Sequence, residues 1–252
     1  MIGAGGGFVL VPILLLLYPR EVPEIITSIS LAVVFFNALS GTIAYGRMRR
    51  IEYRSGLLFS AAAIPGAILG ALTTGYLPRR LFDIIFGFLL IAVSVFLSIK
   101  PGPHKEVASL CPPDYRTCVV TDADGTVHRF SYSQVRGVVV SMGIGYVSSL
   151  LGIGGGIIHV PVLVHVLNFP IHIATATSHF ILCNMALTGT LTHIATGTFT
   201  HGVRRTIVLA VGVILGAQLG AWLSSRIRGT WIIRGLAIAL GVVGIRLLVM
   251  VF

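Results

Sequence analysis

The string Gly152-Ile153-Gly154-Gly155-Gly156-Ile157-Ile158-His159-Val160-Pro161 answers Gly3-Ala4-Gly5-Gly6-Gly7-Phe8-Val9-Leu10-Val11-Pro12 at the start of the chain, with the four glycines and the proline in the same places. The sequence is therefore a duplication. Glycines this dense weaken a helix, and a proline shortly after removes a backbone donor, so each string is expected to interrupt a membrane helix.

The membrane assignment rests on composition. Of 252 residues, 55% are hydrophobic and 10% charged, against about 25% charged in an average soluble domain. Uncharged apolar runs at 25–46, 55–78, 84–99, 206–225 and 235–245 approach or reach the ~20 residues that cross a bilayer as helix. No ten-residue alternating strands of an outer-membrane barrel occur. The net charge of +10 comes from arginines in short connectors, such as Arg47, Arg49, Arg50 and Arg54, which read as topology signals rather than nucleic-acid contacts.

Between the strings, residues 3–18 form an apolar piece too short to span, followed by spans at 22–46, 55–77 and 81–99. Residues 101–136 then hold four prolines and four of the eight acids, and Asp124-Gly125 between β-rich runs reads as a hairpin turn. The expected domains are a first repeat at 1–100, an extramembrane insert at 101–136 and a second repeat at 137–252. Thr27-Ser28 is matched to Thr177-Ser178, Ala38 to Thr42 with Ala186 to Thr190, and Gly66/Gly70 with Gly216/Gly220. Small residues four apart let membrane helices approach closely.

Residues 137–167 would make a helix of about 46 Å, well over a ~30 Å hydrocarbon core, so a break at Gly152–Gly156 is almost forced. The broken element either returns to its own side or crosses, and loop charge divides nearly evenly between the two. Transporters with broken helices at their repeat interface favour the first, with inverted repeats. The expected fold is an all-α integral membrane protein of two repeats, each a broken helix plus three transmembrane helices.

From Gly137 to Val203 there is no Asp, Glu, Lys or Arg but there are six histidines, and no carboxylate follows Asp124. That argues against cation coordination and against zinc or iron chemistry, and no cofactor or metal is expected. The glycine strings lack the G-x-G-x-x-G spacing of a dinucleotide site, since Ile157 stands where a glycine is needed. They offer instead backbone N–H groups at the start of a half-helix, which bind an anion without a charged side chain. Candidate substrate-binding residues are Gly5, Gly6, Gly7, Thr27, Ser28, Asn37, Gly154, Gly155, Gly156, Thr177, Ser178, His179 and Asn184. His193 and His201 are expected at the membrane interface. Cys111 and Cys118 share the insert, where compartment decides whether they pair, and Cys183 reads as a packing residue.

Two G-x-G-G-G-x-x-x-x-P strings, each followed by Thr-Ser and then by a Gly-Ala-rich helix, resemble the sulfite exporter TauE/SafE family of membrane permeases. The resemblance covers the chain outside 101–136. It implies a multi-pass protein of the prokaryotic inner membrane that exports small sulfur-containing anions such as sulfite, thiosulfate or organosulfonates. Its expected partners are that anion, the lipid bilayer and, as an assembly, a second copy in a homodimer. Family members carry an apolar half-helix before the first string, which implies a segment missing before Met1, and they lack the insert. A passive anion channel, or a membrane thiol enzyme using the three cysteines, are the alternatives.

Overall fold

The computed structural model describes residues 6–98, 115–201, 203–224 and 229–251. In chain order the elements are α1 (Gly7–Leu17), α2 (Pro23–Arg47), α3 (Tyr53–Thr74), α4 (Arg79–Ser98), β1 (Tyr115–Thr121), β2 (Val127–Ser133), α5 (Gln134–Leu151), α6 (Gly156–His165), α7 (Ile171–Ala195), a 3-10 turn (Thr198–His201), α8 (Val203–Ser224) and α9 (Gly229–Val251). Of these, α2, α3 and α5 are long and apolar enough to cross a membrane. Large apolar side chains face outward, among them Leu57, Phe88, Val139, Val208 and Val242, each more than half exposed. A soluble protein of this size would bury such a belt, whereas lipid accepts it.

Helix ends follow local chemistry. Pro23 fits the first turn of α2, where its missing N–H is no loss. The Glu52 carboxylate accepts the Ser55 N–H and caps α3. Gly152 ends α5 in the left-handed region at φ 70°, and Gly155 opens α6 at φ 86°. The short helices α1 and α6 each carry a proline at the sixth residue, Pro12 and Pro161.

The two halves interlock. Helix α2 packs along α7, α3 lies on α7 and α5, and α4 runs against α9. The α4–α9 pair is antiparallel, with Gly87 beside Gly244 and Leu248 and with Ser94 Oγ donating to Ala237 O at 2.7 Å. The α3–α5 pair is parallel, because Phe59 meets Gly137, Gly66 meets Met142 and Tyr146, and Thr74 Oγ1 reaches Leu150 O at 3.1 Å. Helix α6 folds back beside α5, so that Ser141 Oγ and His159 Nε2 are 3.2 Å apart.

The geometry corrects the internal alignment. Both α2 and α7 have 25 residues, starting at Pro23 and Ile171. Across their interface Gly41 faces His179 while Gly189 faces Leu31, a reciprocal pair that fixes the offset at 148. Thr27 therefore corresponds to Thr175, Ser30 to Ser178 and Leu31 to His179. Matching Thr27-Ser28 to Thr177-Ser178 was out by two residues, because like dipeptides occur at neighbouring turns.

The expected hairpin is present. Strands β1 and β2 pair antiparallel from Tyr115↔Ser133 to Thr121↔Val127, with Gly125 at φ 81° in the turn. It docks on the α2–α3 connection through Arg50, which meets Asp122 at 2.5 Å and Asp124 at 3.2 Å, and through Ala123 N donating to Met48 O. Tyr132 is fully buried, its hydroxyl 2.6 Å from Ser55 Oγ, in a cluster with Phe59, Phe130, Leu163 and Phe169. The hairpin thus ties α3 to the α6–α7 connection.

His193 lies two residues before the end of α7, where the 3-10 turn packs against that helix. Its side chain is 0% exposed, with neither ring nitrogen hydrogen-bonded among the described residues.

Candidate functional site

The two glycine strings meet. A Cβ on Gly7 would lie 2.7 Å from Val34 Cγ2 and 2.8 Å from the carbonyl oxygen of Ile153, so the first turn of α1 abuts the break between α5 and α6. Only glycine lets backbone approach backbone this closely. Gly154 packs between Val34 and Leu182, which occupy equivalent places on α2 and α7. Gly155 packs against Ser148 and Met185, while Gly6 faces Asn37, the counterpart of Met185.

The half-helices begin here without side-chain caps, at Gly6 for α1 and Gly155 for α6. Residues 152 to 157 are buried. The first-turn N–H groups of a helix have no partner within it, and aligned peptide dipoles place roughly half a positive charge there. Helix α1 leaves the junction toward Arg79, whose guanidinium donates to Leu15 O at 3.1 Å and Glu21 O at 2.7 Å. Helix α6 leaves toward the hairpin, where Leu163 and Val164 join Phe130 and Phe169.

The sequence-derived candidates separate into two groups. Gly6, Gly7, Asn37, Gly154, Gly155 and Gly156 come together at the junction, with Thr27 at its edge against Gly152. Gly5 lies outside the described residues. The hydroxyls are mostly engaged: Thr27 Oγ1 donates to Glu24 O at 3.0 Å, Ser28 Oγ to Ile25 O at 2.8 Å, and Thr177 Oγ1 accepts the Glu52 N–H at 3.1 Å. Ser178 Oγ is buried without a partner among the described residues. Asn184 turns to α3, donating to Phe180 O at 2.9 Å and Ser60 Oγ at 3.3 Å. His179 sits one turn from Leu182, with Nδ1 3.2 Å from Thr175 O and its ring edge-on to Tyr45 at 5.2 Å.

Residues the sequence reading missed include Ser30, whose Oγ donates to Gly152 O at 2.7 Å and pins the break to α2. The offset of 148 would have revealed it as the partner of Ser178. Ser148, one turn before Gly152, was hidden for another reason: a lone serine in an apolar helix carries no pattern.

No group of three His, Cys, Asp or Glu side chains among the described residues is arranged to hold a metal. Cys118 is a buried free thiol, and burial, with the Glu52 carboxylate adding to it, pushes its ionisation up, away from the reactive thiolate. Cys183 is half-buried in α7, and Cys111 lies outside the described residues.

Comparison with known proteins agrees with these observations. The chain matches the family described as sulfite exporter TauE/SafE over residues 1–247. It is 30% identical over 254 residues to the probable membrane transporter protein YunE of Bacillus subtilis, covering 98% of this chain and 91% of that protein. A probable membrane transporter protein of Methanocaldococcus jannaschii is 22% identical over 260 residues, covering 98% and 89%. One from Xylella fastidiosa (strain 9a5c) is 25% identical over 228 residues, covering 90% and 79%. No solved structure matches significantly. With the paired strings, the outward apolar belt and a match over nearly its whole length, the chain belongs to the TauE/SafE sulfite exporter family of membrane transporters.

Proposed function

We propose that the protein is a multi-pass inner-membrane exporter of a small sulfur-containing anion such as sulfite, thiosulfate or an organosulfonate, working by alternating access. Two inverted repeats, 1–100 and 137–252, flank the site, and 101–136 is an extramembrane insert. The observation that carries this reading is the junction of the strings: two uncapped half-helix N-termini meet there and leave in opposite directions. That direction, with α6 folded back on α5, supports a broken element that returns to its own side in each repeat.

The anion is held by backbone N–H groups around Gly6–Gly7 and Gly154–Gly156, with Asn37 and Ser178 alongside. Thr27, Ser28 and Thr177 hold backbone, and His179 lines the way out toward the hairpin. The halves are tied at both ends. At the hairpin end the Glu52 N–H meets Thr177. At the other, Thr198 Oγ1 donates to Glu24 at 2.7 Å and Arg205 pairs with Glu21 at 2.8 Å. Breaking one set while keeping the other is what alternating access requires.

Export of an anion from a negative cell interior is favoured by about 2.3 kcal/mol per charge per 100 mV, so no coupling carboxylate is needed. Proteoliposomes with a set potential test the reading through uptake of labelled sulfite, thiosulfate and a short sulfonate. Saturable flux of at least one is expected, and none of any would sink it.

A further inference from the structure

We infer that Ser148 is a substrate-binding residue that meets the anion at the mouth of α6. The inference rests on the anion-transport reading and names a donor that the duplicated motif does not contain.

Ser148 is 0% exposed, and its hydroxyl has no partner among the described residues. Other hydroxyls in these helices take the carbonyl four residues back, as Thr188 does with Asn184, Thr190 with Ala186 and Thr192 with Thr188. Ser148 does not. Its Oγ lies over the α-carbon of Gly155 instead, where an added Cβ would be 2.6 Å away. Gly155 is the N-cap of α6, a helix of 10 residues whose mouth is buried and has no side-chain cap. A donor in a dry interior that forgoes its own backbone carries a desolvation cost, which a bound acceptor would remove.

The chemistry fits an oxyanion. One oxygen can accept the Ser148 O–H while another accepts the first-turn N–H groups of α6 at the positive end of its dipole. At the α1 mouth Gly6 faces Asn37, whose amide both donates and accepts.

The decisive variant is Ser148→Ala, reconstituted and assayed with sulfite, thiosulfate and a short sulfonate. A lost ligand contact raises KM at least tenfold for the transported anion, with a smaller change in kcat. Because the substitution also deletes an unpaired buried hydroxyl, the anion-free melting temperature should rise or hold, a combination that a structural role does not produce. Ser149→Ala, next along the chain, should leave KM unchanged. If the alanine variant does not fold, Ser148→Cys keeps the volume with a weaker donor and should show the same rise in KM. Saturable wild-type flux with an unchanged KM in the variant overturns this inference alone. Absence of saturable wild-type flux overturns the anion reading and this inference with it.

Discussion

Helices α3 and α8 both carry small residues four apart, yet among the described residues those of α3 are pressed against another backbone while Gly216 of α8 is not. On α3, Gly66 and Gly70 are pressed against the backbone of α5, so that a Cβ on Gly66 would lie 2.9 Å from Tyr146 N and one on Gly70 2.9 Å from Leu150 N. On α8, Gly216 corresponds to Gly66 and has nothing within 4 Å, as does Gly212. Ser30 and Ser178 also differ: one closes a hydrogen bond on Gly152, and the other has no partner among the described residues.

Substitution at the glycines should expose this difference most strongly. Gly70→Leu forces α3 and α5 apart and should cost about 3 kcal/mol or more, enough to lose folded protein in detergent. Gly216→Leu should shift the melting transition by less than about 0.5 kcal/mol equivalent. Equal losses would mean that α8 is packed as α3 is.

The serines give the next effect. Ser30→Ala leaves the Gly152 carbonyl buried and unpaired, at a cost of about 1–3 kcal/mol in thermal unfolding. Ser178→Ala deletes a hydroxyl with no partner and should be neutral or stabilising. The reverse order would contradict the register that pairs these residues.

The smallest effect concerns the hairpin. Desolvation pushes the Asp122 carboxyl up, but hydrogen bonds from Arg50 and the Ala123 N–H, with the charges of Arg50 and His128, outweigh it and hold the group below the ordinary carboxylate range. A depressed folded value contributes stability above the ordinary value, lost as pH falls through the folded one. Protection of the amides in 115–133, taken relative to the intrinsic exchange rate at each pH, should therefore fall only below about pH 4. Asp122→Asn should bring that loss of protection to neutral pH, while the buried Tyr132 keeps the strands formed. Exchange in the variant identical to wild type at pH 7 would show that the ion pair does not hold the hairpin.

Much of this was legible in the sequence. The break at Gly152–Gly156, the start of α1 at Gly7, the long helices and the Asp124-Gly125 turn follow from local composition, because glycine density, apolar run length and turn chemistry act over a few residues. The register between α2 and α7 did not. Thr27-Ser28 and Thr177-Ser178 look alike, but the reciprocal contacts of Gly41 with His179 and Gly189 with Leu31 are tertiary facts. The candidate site was half visible for the same reason. Glycines announce a helix mouth, whereas whether a Ser or Thr faces that mouth or bonds its own backbone depends on rotamer and neighbour, as Thr27 and Ser148 illustrate.

The central claim, that an anion is carried at the meeting of the two glycine strings, is tested most directly by counterflow of labelled sulfite, thiosulfate and a short sulfonate in proteoliposomes. Wild-type protein is compared with Gly155→Ala, whose Cβ would crowd Ser148 and Met185 and force a φ of 86° on alanine. We predict saturable, trans-stimulated exchange in the wild type and at least a tenfold loss in the variant with its fold intact. Exchange that does not saturate, or that proceeds equally well in Gly155→Ala, would contradict the account.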